Sequence, residues 1–227
     1  MVLTQSSPLG KKSATPGSCY LYGSFADMTS IVTDILPFNR DRALRVLELG
    51  GAYGIFGPRI AKRYPEALLA VTDTTPSLRN DAIKHFEEEA LPRISFRLLA
   101  PATDTIKGVY DLILCSFGLH TLEPERQARF CKGVLDSLEP GGIFICCERF
   151  CGENPLAEKL YRRGLTQRMQ KMDQIDPIVL RLFETIEAPH PLTFAQQKRM
   201  LDDIGFSEVT TWYQYLGFGL VSATKPL

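Results

Sequence analysis

The chain alternates between short apolar runs and longer segments in which apolar side chains recur every three to four positions. The longer segments predict amphipathic helices, and the short runs predict strands that are buried on both faces. The predicted strands cover residues 45–49, 67–72, 94–99, 109–115 and 143–148, and the predicted helices between them cover 55–64, 77–90 and 125–138. This alternation is typical of βαβ units, which build a parallel sheet with right-handed crossovers.

The regular alternation stops after residue 149. The remaining predicted elements are helices at 156–172, 177–187 and 192–204 and strands at 209–213 and 217–223. Gly205 is placed to end the last of these helices. We therefore expect an α/β fold with a Rossmann-like, seven-stranded, mostly parallel sheet and an antiparallel last strand. Helices should cover both faces of the sheet, and a small helical insertion should precede the last helix.

Composition excludes some function classes. Lys and Arg together number 26, as do Asp and Glu, so no overall charge attracts the protein to nucleic acid. No apolar run has the length of a membrane span, and no apolar signal core opens the chain. The 6 cysteines show no C-x-x-C spacing, which favours reduced structural thiols over a metal site. We expect a cytoplasmic protein that binds no membrane, no metal and no nucleic acid.

The first predicted strand ends at an acid, Glu48, and a glycine-rich turn follows at once from Gly50 to Gly54. A strand, tight turn and helix in this order let the backbone approach a nucleoside closely. The G-x-G-x-x-G fingerprint of nicotinamide and flavin sites would need glycines where Ala52 and Ile55 stand. The turn instead follows acid-x-Gly-x-Gly-x-Gly, with Ala52 in place of the middle glycine.

Three strings in order, Glu48 to Gly54, Tyr110 to Leu122 and Leu138 to Ile145, resemble the motifs of class I S-adenosylmethionine (SAM)-dependent methyltransferases. The resemblance implies SAM as cofactor, S-adenosylhomocysteine (SAH) as product and a small-molecule methyl acceptor. It also implies that the turn holds the methionine moiety through Gly50, Gly51, Ala52, Tyr53 and Gly54. Glu48 would fix the turn or bind the amino group.

The resemblance extends to further site residues. Asp73 ends the second predicted strand 19 positions after Gly54, where an acid suits ribose hydroxyls, although it could instead cap the next helix. Thr74 or Phe117 would pack on the adenine. Asp104 follows the third strand and would replace the acid that often bonds the adenine amino group. Ser116 follows the fourth strand and is a further cofactor-binding residue. His120 stands where the family often has a histidine, either as a general base or as an architectural residue.

The resemblance also divides the chain. Residues 1–18 are predicted to be a disordered tail, and 19–227 the SAM-binding domain. Residues 19–40 would form a lid over the cofactor or pack on the sheet edge, and 150–191 would form the helical insertion that shapes the acceptor pocket. The basic helix 159–171 is either a patch for an anionic substrate or RNA, or a solvated face. Whether the protein forms a homodimer is left open.

The C-terminal half also resembles carboxy-SAM synthase, an enzyme of tRNA wobble-uridine modification. Its distinguishing arginine lies in the last helix, and alignment on Gly205 places Met200 there, with Arg199 one residue earlier. One residue turns a helix by about 100°, so Arg199 should point elsewhere. A carboxy-SAM synthase-like enzyme, or a SAM-binding protein with a reaction other than methyl transfer, is the alternative to a methyltransferase.

Overall fold

The computed structural model describes residues 27–51, 56–88, 93–170 and 190–227. Several sequence predictions fall outside these ranges. They are the disordered tail 1–18, the first part of the lid 19–40, the turn residues Ala52, Tyr53 and Gly54, and the second insertion helix 177–187.

Seven strands form one sheet in this part of the chain. They are β1 (Arg45–Leu49), β2 (Leu68–Asp73), β3 (Ile94–Leu98), β4 (Tyr110–Ser116), β5 (Leu138–Arg149), β6 (Ser207–Tyr215) and β7 (Phe218–Thr224). The strand order is β3-β2-β1-β4-β5-β7-β6. The first five strands pair in parallel, whereas β7 is antiparallel to both β5 and β6. The predicted fold class is confirmed.

Helices connect these strands on both sides of the sheet. They are α1 (27–34), α2 (Gly57–Arg63), α3 (Pro76–Glu88), α4 (Pro124–Asp136), α5 (Pro155–Met169), α6 (Phe194–Ile204) and a short 3-10 helix, Leu119–Thr121. Helix α6 has clear start and end signals, of which only Gly205 was predicted. Thr193 forms a capping box with Gln196, and Gly205 adopts the left-handed conformation at the C-terminus.

One turn prediction is wrong. The sequence from Glu139 to Gly142 predicts a turn before the fifth strand, but β5 already starts at Leu138. Gly141 has a φ of 74°, and its N–H donates to the carbonyl of Lys225 at 2.9 Å. The amide of Lys225 donates in return to the Gly142 carbonyl at 2.9 Å. Pairing with the C-terminal segment therefore keeps this stretch within β5 as a bulge, where the register between β4 and β5 shifts from Tyr110–Leu138 to Leu112–Ile143.

Two apolar cores lie on opposite faces of the sheet. The first contains Ile60 of α2, Phe86 of α3 and Leu165 of α5. The second contains Val134 of α4 and Leu201 of α6. Helix α1 belongs to the first core, so this part of the predicted lid packs on the sheet. Its Met28 is buried, with the sulfur 3.7 Å from that of Cys147.

Candidate functional site

The parallel strands bring the predicted site residues to one edge of the sheet. Asp73 and Ser116 are the last residues of β2 and β4, and Glu48 is the penultimate residue of β1. His120 lies in the short 3-10 helix that follows β4. Carboxyl ends of parallel strands form the ligand edge of an open α/β sheet, so these residues share the edge at which a ligand would bind.

The glycine turn passes very close to the end of β4. Gly50 has a φ of 77°, and its N–H donates to the carbonyl of Thr72 at 3.0 Å. A Cβ at this position would lie 2.4 Å from the backbone oxygen of Ser116. Only glycine satisfies both the conformation and the contact. Gly51 follows in the described chain, buried against Val71, where a Cβ would lie 2.5 Å from that side chain.

Glu48 is fully buried beneath this turn. Its Oε1 accepts a hydrogen bond from the amide of Phe56 at 3.3 Å, so it supports the start of α2. Oε2 lies beside Gly57 but makes no hydrogen bond of normal geometry among the described residues. Burial raises the pKa of Glu48 to about 7, although the amides of Phe56 and Gly57 oppose this shift. Near neutral pH this carboxyl group is therefore partly ionised, and one of its oxygens lacks a hydrogen bond.

Ser116 provides a second unpaired polar atom at the same place. Its Oγ is buried and has no hydrogen-bond partner in the described part of the chain. Glu48 pairs with Leu114 in the parallel register, and side chains alternate along a strand, so Ser116 lies on the same face of the sheet as Glu48. Two buried, unpaired oxygens beside a close-packed glycine turn suit a cationic group with N–H donors, such as the ammonium of a methionine moiety.

Asp73 occupies the predicted place at the end of β2. It is buried, and its Oδ1 accepts a hydrogen bond from the amide of Thr74 at 2.7 Å. Thr74 itself is exposed, and its hydroxyl lies 3.4 Å from the same oxygen. Helix α3 begins at Pro76, one residue before the predicted start at residue 77. This placement of Asp73 suits both ribose binding and helix capping.

A cavity of about 400 Å³ lies beside β2 and β3. It is lined by Leu47, Thr72, Arg97, Leu98, Leu99, Thr103, Asp104, Thr105, Ile106, Lys107 and Tyr110. Its volume falls in the range of small-molecule pockets. Asp104 bonds within its own loop, accepting from the amide of Ala100 at 2.8 Å and the hydroxyl of Thr103 at 3.2 Å. The predicted adenine residue thus lines a cavity next to the strand that carries Asp73.

Phe117 stabilises the end of β4 from the opposite side. It is buried with a φ of 54°, and its ring meets that of Phe218 edge to face, with centroids 6.0 Å apart. A positive φ is costly for a non-glycine residue, so packing must hold this conformation. The bend at Phe117 leads into the 3-10 helix that carries His120.

His120 is buried and pairs with Glu148, which lies near the end of β5 next to Arg149. The distance between His120 Nδ1 and Glu148 Oε2 is 2.5 Å. Glu148 Oε1 accepts from the amides of Gly118 at 2.8 Å and Leu119 at 2.9 Å, and the thiol of Cys115 lies 3.6 Å away. These bonds fix the position of both side chains.

The second ring nitrogen of His120, Nε2, makes no hydrogen bond within the described ranges. Because Glu148 accepts from Nδ1–H, the lone pair of Nε2 is left to accept a proton. Sequence analysis missed Glu148. An acid that ends an apolar strand was the pattern that singled out Glu48, and the same pattern at the end of β5 could have identified Glu148.

The last helix matches the expectation for Arg199 and Met200. Arg199 is exposed, whereas Met200 is partly buried and packs against the second core. Within the described ranges, no cluster of His, Cys, Asp and Glu could hold a metal ion. No helix in these ranges has the length and apolar character needed to span a membrane.

Comparison with known families and proteins agrees with this geometry. Residues 46–142 match the family described as a methyltransferase domain. A carboxy-S-adenosyl-L-methionine synthase from Psychromonas ingrahamii is 26% identical over 126 residues, which cover 51% of this chain and 48% of that protein. The chain thus spans about half the length of such curated relatives.

Two solved structures show the same fold. An O-methyltransferase family 2 protein from Planctomyces limnophilus, in complex with apigenin, has a TM-score of 0.66 and 18% identity, covering 91% of this chain and 58% of its own. PigF with SAH has a TM-score of 0.62 and 20% identity, covering 90% and 56%. Residues 46–142 therefore match the methyltransferase-domain family, and the described part of the chain has the same Rossmann-like fold as these two solved structures.

Proposed function

We propose that the protein binds SAM at the carboxyl edge of β1, β2 and β4 and catalyses methyl transfer to a small molecule. The observation that carries this proposal is the pair of buried, unpaired oxygens, Glu48 Oε2 and Ser116 Oγ, beside the glycine turn. Both belong to the segment that matches the methyltransferase-domain family.

The residues at this edge would bind different parts of the cofactor. Glu48 and Ser116 would bond the ammonium, while Gly50 and its neighbours through Gly54 hold the methionine moiety. Asp73 would bind the ribose, and the cavity at Asp104 would hold the adenine, with Thr74 packing on it. The ring of Phe117 packs on Phe218 instead, so the prediction that it contacts the adenine is not retained. When bound, SAM supplies a methyl group on a positively charged sulfur and leaves as SAH.

His120 would act as the general base on the methyl acceptor. Its Nε2 would accept the proton of the acceptor O–H or N–H, which leaves a nucleophile. Glu148 holds Nδ1–H and would stabilise the imidazolium that forms. Glu148 is itself held by backbone amides at the start of the 3-10 helix, so the base is oriented before the acceptor arrives.

A small-molecule acceptor is supported by the Planctomyces limnophilus protein, which has the same fold and was solved with apigenin. A cytoplasmic location and a homodimer remain predictions from the sequence. The described cysteines are Cys115, Cys131, Cys146, Cys147 and Cys151, all free thiols, which is in keeping with a reducing compartment.

A carboxy-SAM synthase-like activity is the second candidate, because curated relatives of that name match about half of the chain. The side chains of α6 disfavour this activity. Met200, at the position of the distinguishing arginine, packs against the core, and Arg199 faces solvent. A SAM-dependent reaction other than methyl transfer is a third candidate. The transfer assay described next distinguishes it from a methyltransferase.

Isothermal titration with SAM, SAH and NAD tests the cofactor, and mass spectrometry of any ligand that copurifies tests its form. We expect SAM and SAH to bind and NAD not to bind. Incubation with SAM carrying a labelled methyl group and a library of phenols, amines and thiols tests transfer. Tighter binding of NAD than of SAM would overturn the proposal, and copurified carboxy-SAM would favour the second candidate.

A further inference from the structure

Arg149, the last residue of β5, is fully buried, with no exposed side-chain surface. It is the largest fully buried side chain in the described part of the protein. A buried guanidinium costs several kcal/mol unless its charge and its N–H groups are satisfied. The contacts of Arg149 therefore need an explanation.

Within the described residues, only one nitrogen of this guanidinium has a partner. Nη2 donates to Glu158 Oε1 at 2.6 Å, whereas Nε and Nη1 make no hydrogen bond. Three N–H groups, one on Nε and two on Nη1, are left without an acceptor there. A native structure rarely buries so many unpaired donors unless a ligand or water completes them.

Arg149 shares its carboxylate partner with a second arginine. Glu158 Oε1 accepts from Nε of Arg162 as well, at 2.7 Å, and Oε2 accepts from the amide of Gly152 at 2.8 Å. Both oxygens of Glu158 therefore already accept hydrogen bonds, and Nε and Nη1 of Arg149 stay unpaired among the described residues. An additional oxyanion would accept from these open N–H groups.

The fold keeps space for this guanidinium. It lies against Gly217 in the loop between β6 and β7, where a Cβ would lie 2.5 Å from Nη1 and 2.9 Å from Cζ. Any other residue at 217 would displace the guanidinium. The site is therefore built around the arginine, which is not merely a long side chain folded over the surface.

Arg149 follows Glu148, so the two side chains leave β5 on opposite faces. Glu148 bonds His120 on one face, and Arg149 reaches α5 on the other through Glu158. Helix α5 belongs to the insertion that is predicted to shape the acceptor pocket. One strand end thus carries both the support of the proposed base and a buried cation.

We propose that Arg149 binds an oxyanion of the methyl acceptor, so that the substrate is a small molecule that carries a carboxylate or a phosphate. The inference rests on the proposed function. It assigns the acceptor class and leaves the cofactor site unchanged.

The side-chain Nε–H resonance of Arg149 in the SAH-saturated protein provides the test. Arg149→Lys assigns the signal, and benzoate, phenyl phosphate and benzamide are the probes. We expect benzoate or phenyl phosphate to shift the resonance and benzamide to leave it unchanged. Which of the two anions causes the shift shows whether the site binds a carboxylate or a phosphate. No shift with either anion up to its solubility limit, while SAH still binds, overturns the inference and leaves the proposed function intact. Failure of SAH to bind instead rejects the proposed function.

Variants of Arg149 and Arg163 distinguish anion binding at Arg149 from a general effect of positive charge on α5. Arg149→Gln should weaken binding of the shifting anion roughly tenfold to a hundredfold, and Arg149→Lys should weaken it less. Arg163→Gln, on the exposed side of α5, is the matched control and should leave anion binding unchanged. Equal loss in the Arg149 and Arg163 variants overturns the inference. The resonance test on the wild type stands even where Arg149→Gln does not fold.

Discussion

Two buried glutamates at strand ends, Glu48 on β1 and Glu148 on β5, differ in how completely they are bonded. Glu148 uses both oxygens, accepting from two backbone amides and from His120. Glu48 uses one oxygen, and the other has no partner in the described part of the chain. The His120–Glu148 pair is thus complete without a ligand, whereas the carboxyl group of Glu48 is completed only by one. We infer that the first is preorganised for chemistry and the second for cofactor binding.

The largest effect should come from His120→Ala. Loss of the base should lower kcat roughly 10²- to 10⁴-fold, while SAH affinity, measured by calorimetry, stays unchanged because His120 is not among the residues proposed to bind the cofactor. His190→Ala is the matched control, since His190 is partly exposed and its Nε2 lies 2.9 Å from the carboxylate of the exposed Glu123. An unchanged kcat in His120→Ala would show that the His120–Glu148 pair is architectural.

Glu148→Gln should lower kcat about 100-fold with little change in stability. The amide oxygen can still accept from Gly118 and Leu119, but the amide nitrogen would donate to Nδ1 of His120. The ring would then carry its proton on Nε2 and could not act as a base. Steady-state kinetics over a range of pH, with urea unfolding as the stability control, would check this. A loss of stability without a change in the pH profile would contradict it.

Glu48→Gln should change the pH dependence of stability. The pKa of Glu48 is about 7 in the folded protein against an ordinary 4.5, so the folded protein retains a proton that the unfolded chain loses between these values. Stability therefore falls as pH rises through this window, and the full cost, about 3 kcal/mol, applies above pH 7. The glutamine variant should be more stable than the wild type by up to that amount at about pH 8 and equal to it at about pH 4.

Urea unfolding at several pH values measures this difference, with the exposed Glu125→Gln as control. The same Glu48 variant should bind SAM more weakly by about 1.5–3 kcal/mol, because a charged acceptor for the ammonium is lost. Greater stability together with weaker SAM binding would show that Glu48 lowers the stability of the folded protein but contributes to cofactor binding. A difference in stability that does not vary with pH would show that the carboxyl group does not titrate in this window.

The sequence predicted the strands and the mostly parallel sheet well because the short apolar runs are continuous and are bounded by glycine, proline and polar residues. It failed at Glu139 to Gly142, where a turn composition was overridden by pairing with the C-terminal segment. It singled out His120 but not Glu148, since their contact joins two elements that are distant in the chain. The unpaired groups of Arg149 could not be predicted at all, because burial and missing partners exist only in three dimensions.

Asp73→Ala should weaken SAH binding by about 1–3 kcal/mol if its carboxylate bonds the ribose. Titration calorimetry measures the change, and unchanged affinity would remove Asp73 from the site in favour of helix capping. Loss of a cap alone would instead lower the free energy of unfolding, by about 1 kcal/mol, without changing SAH affinity. The two interpretations therefore differ in which measurement responds.

Asp104→Asn should have the smallest effect, below about 1 kcal/mol on SAH affinity. The asparagine oxygen can still accept from Ala100, so the loop that lines the cavity should keep its shape. If the adenine binds as proposed, the substitution removes a carboxylate that faces the adenine amino group, which is a neutral donor and gains little from a formal charge. A comparison of adenosine with inosine as competitors sharpens the test, because inosine lacks that amino group. If Asp104 accepts from it, the wild type should prefer adenosine more strongly than Asp104→Asn does, and an equal preference in both would place the adenine elsewhere.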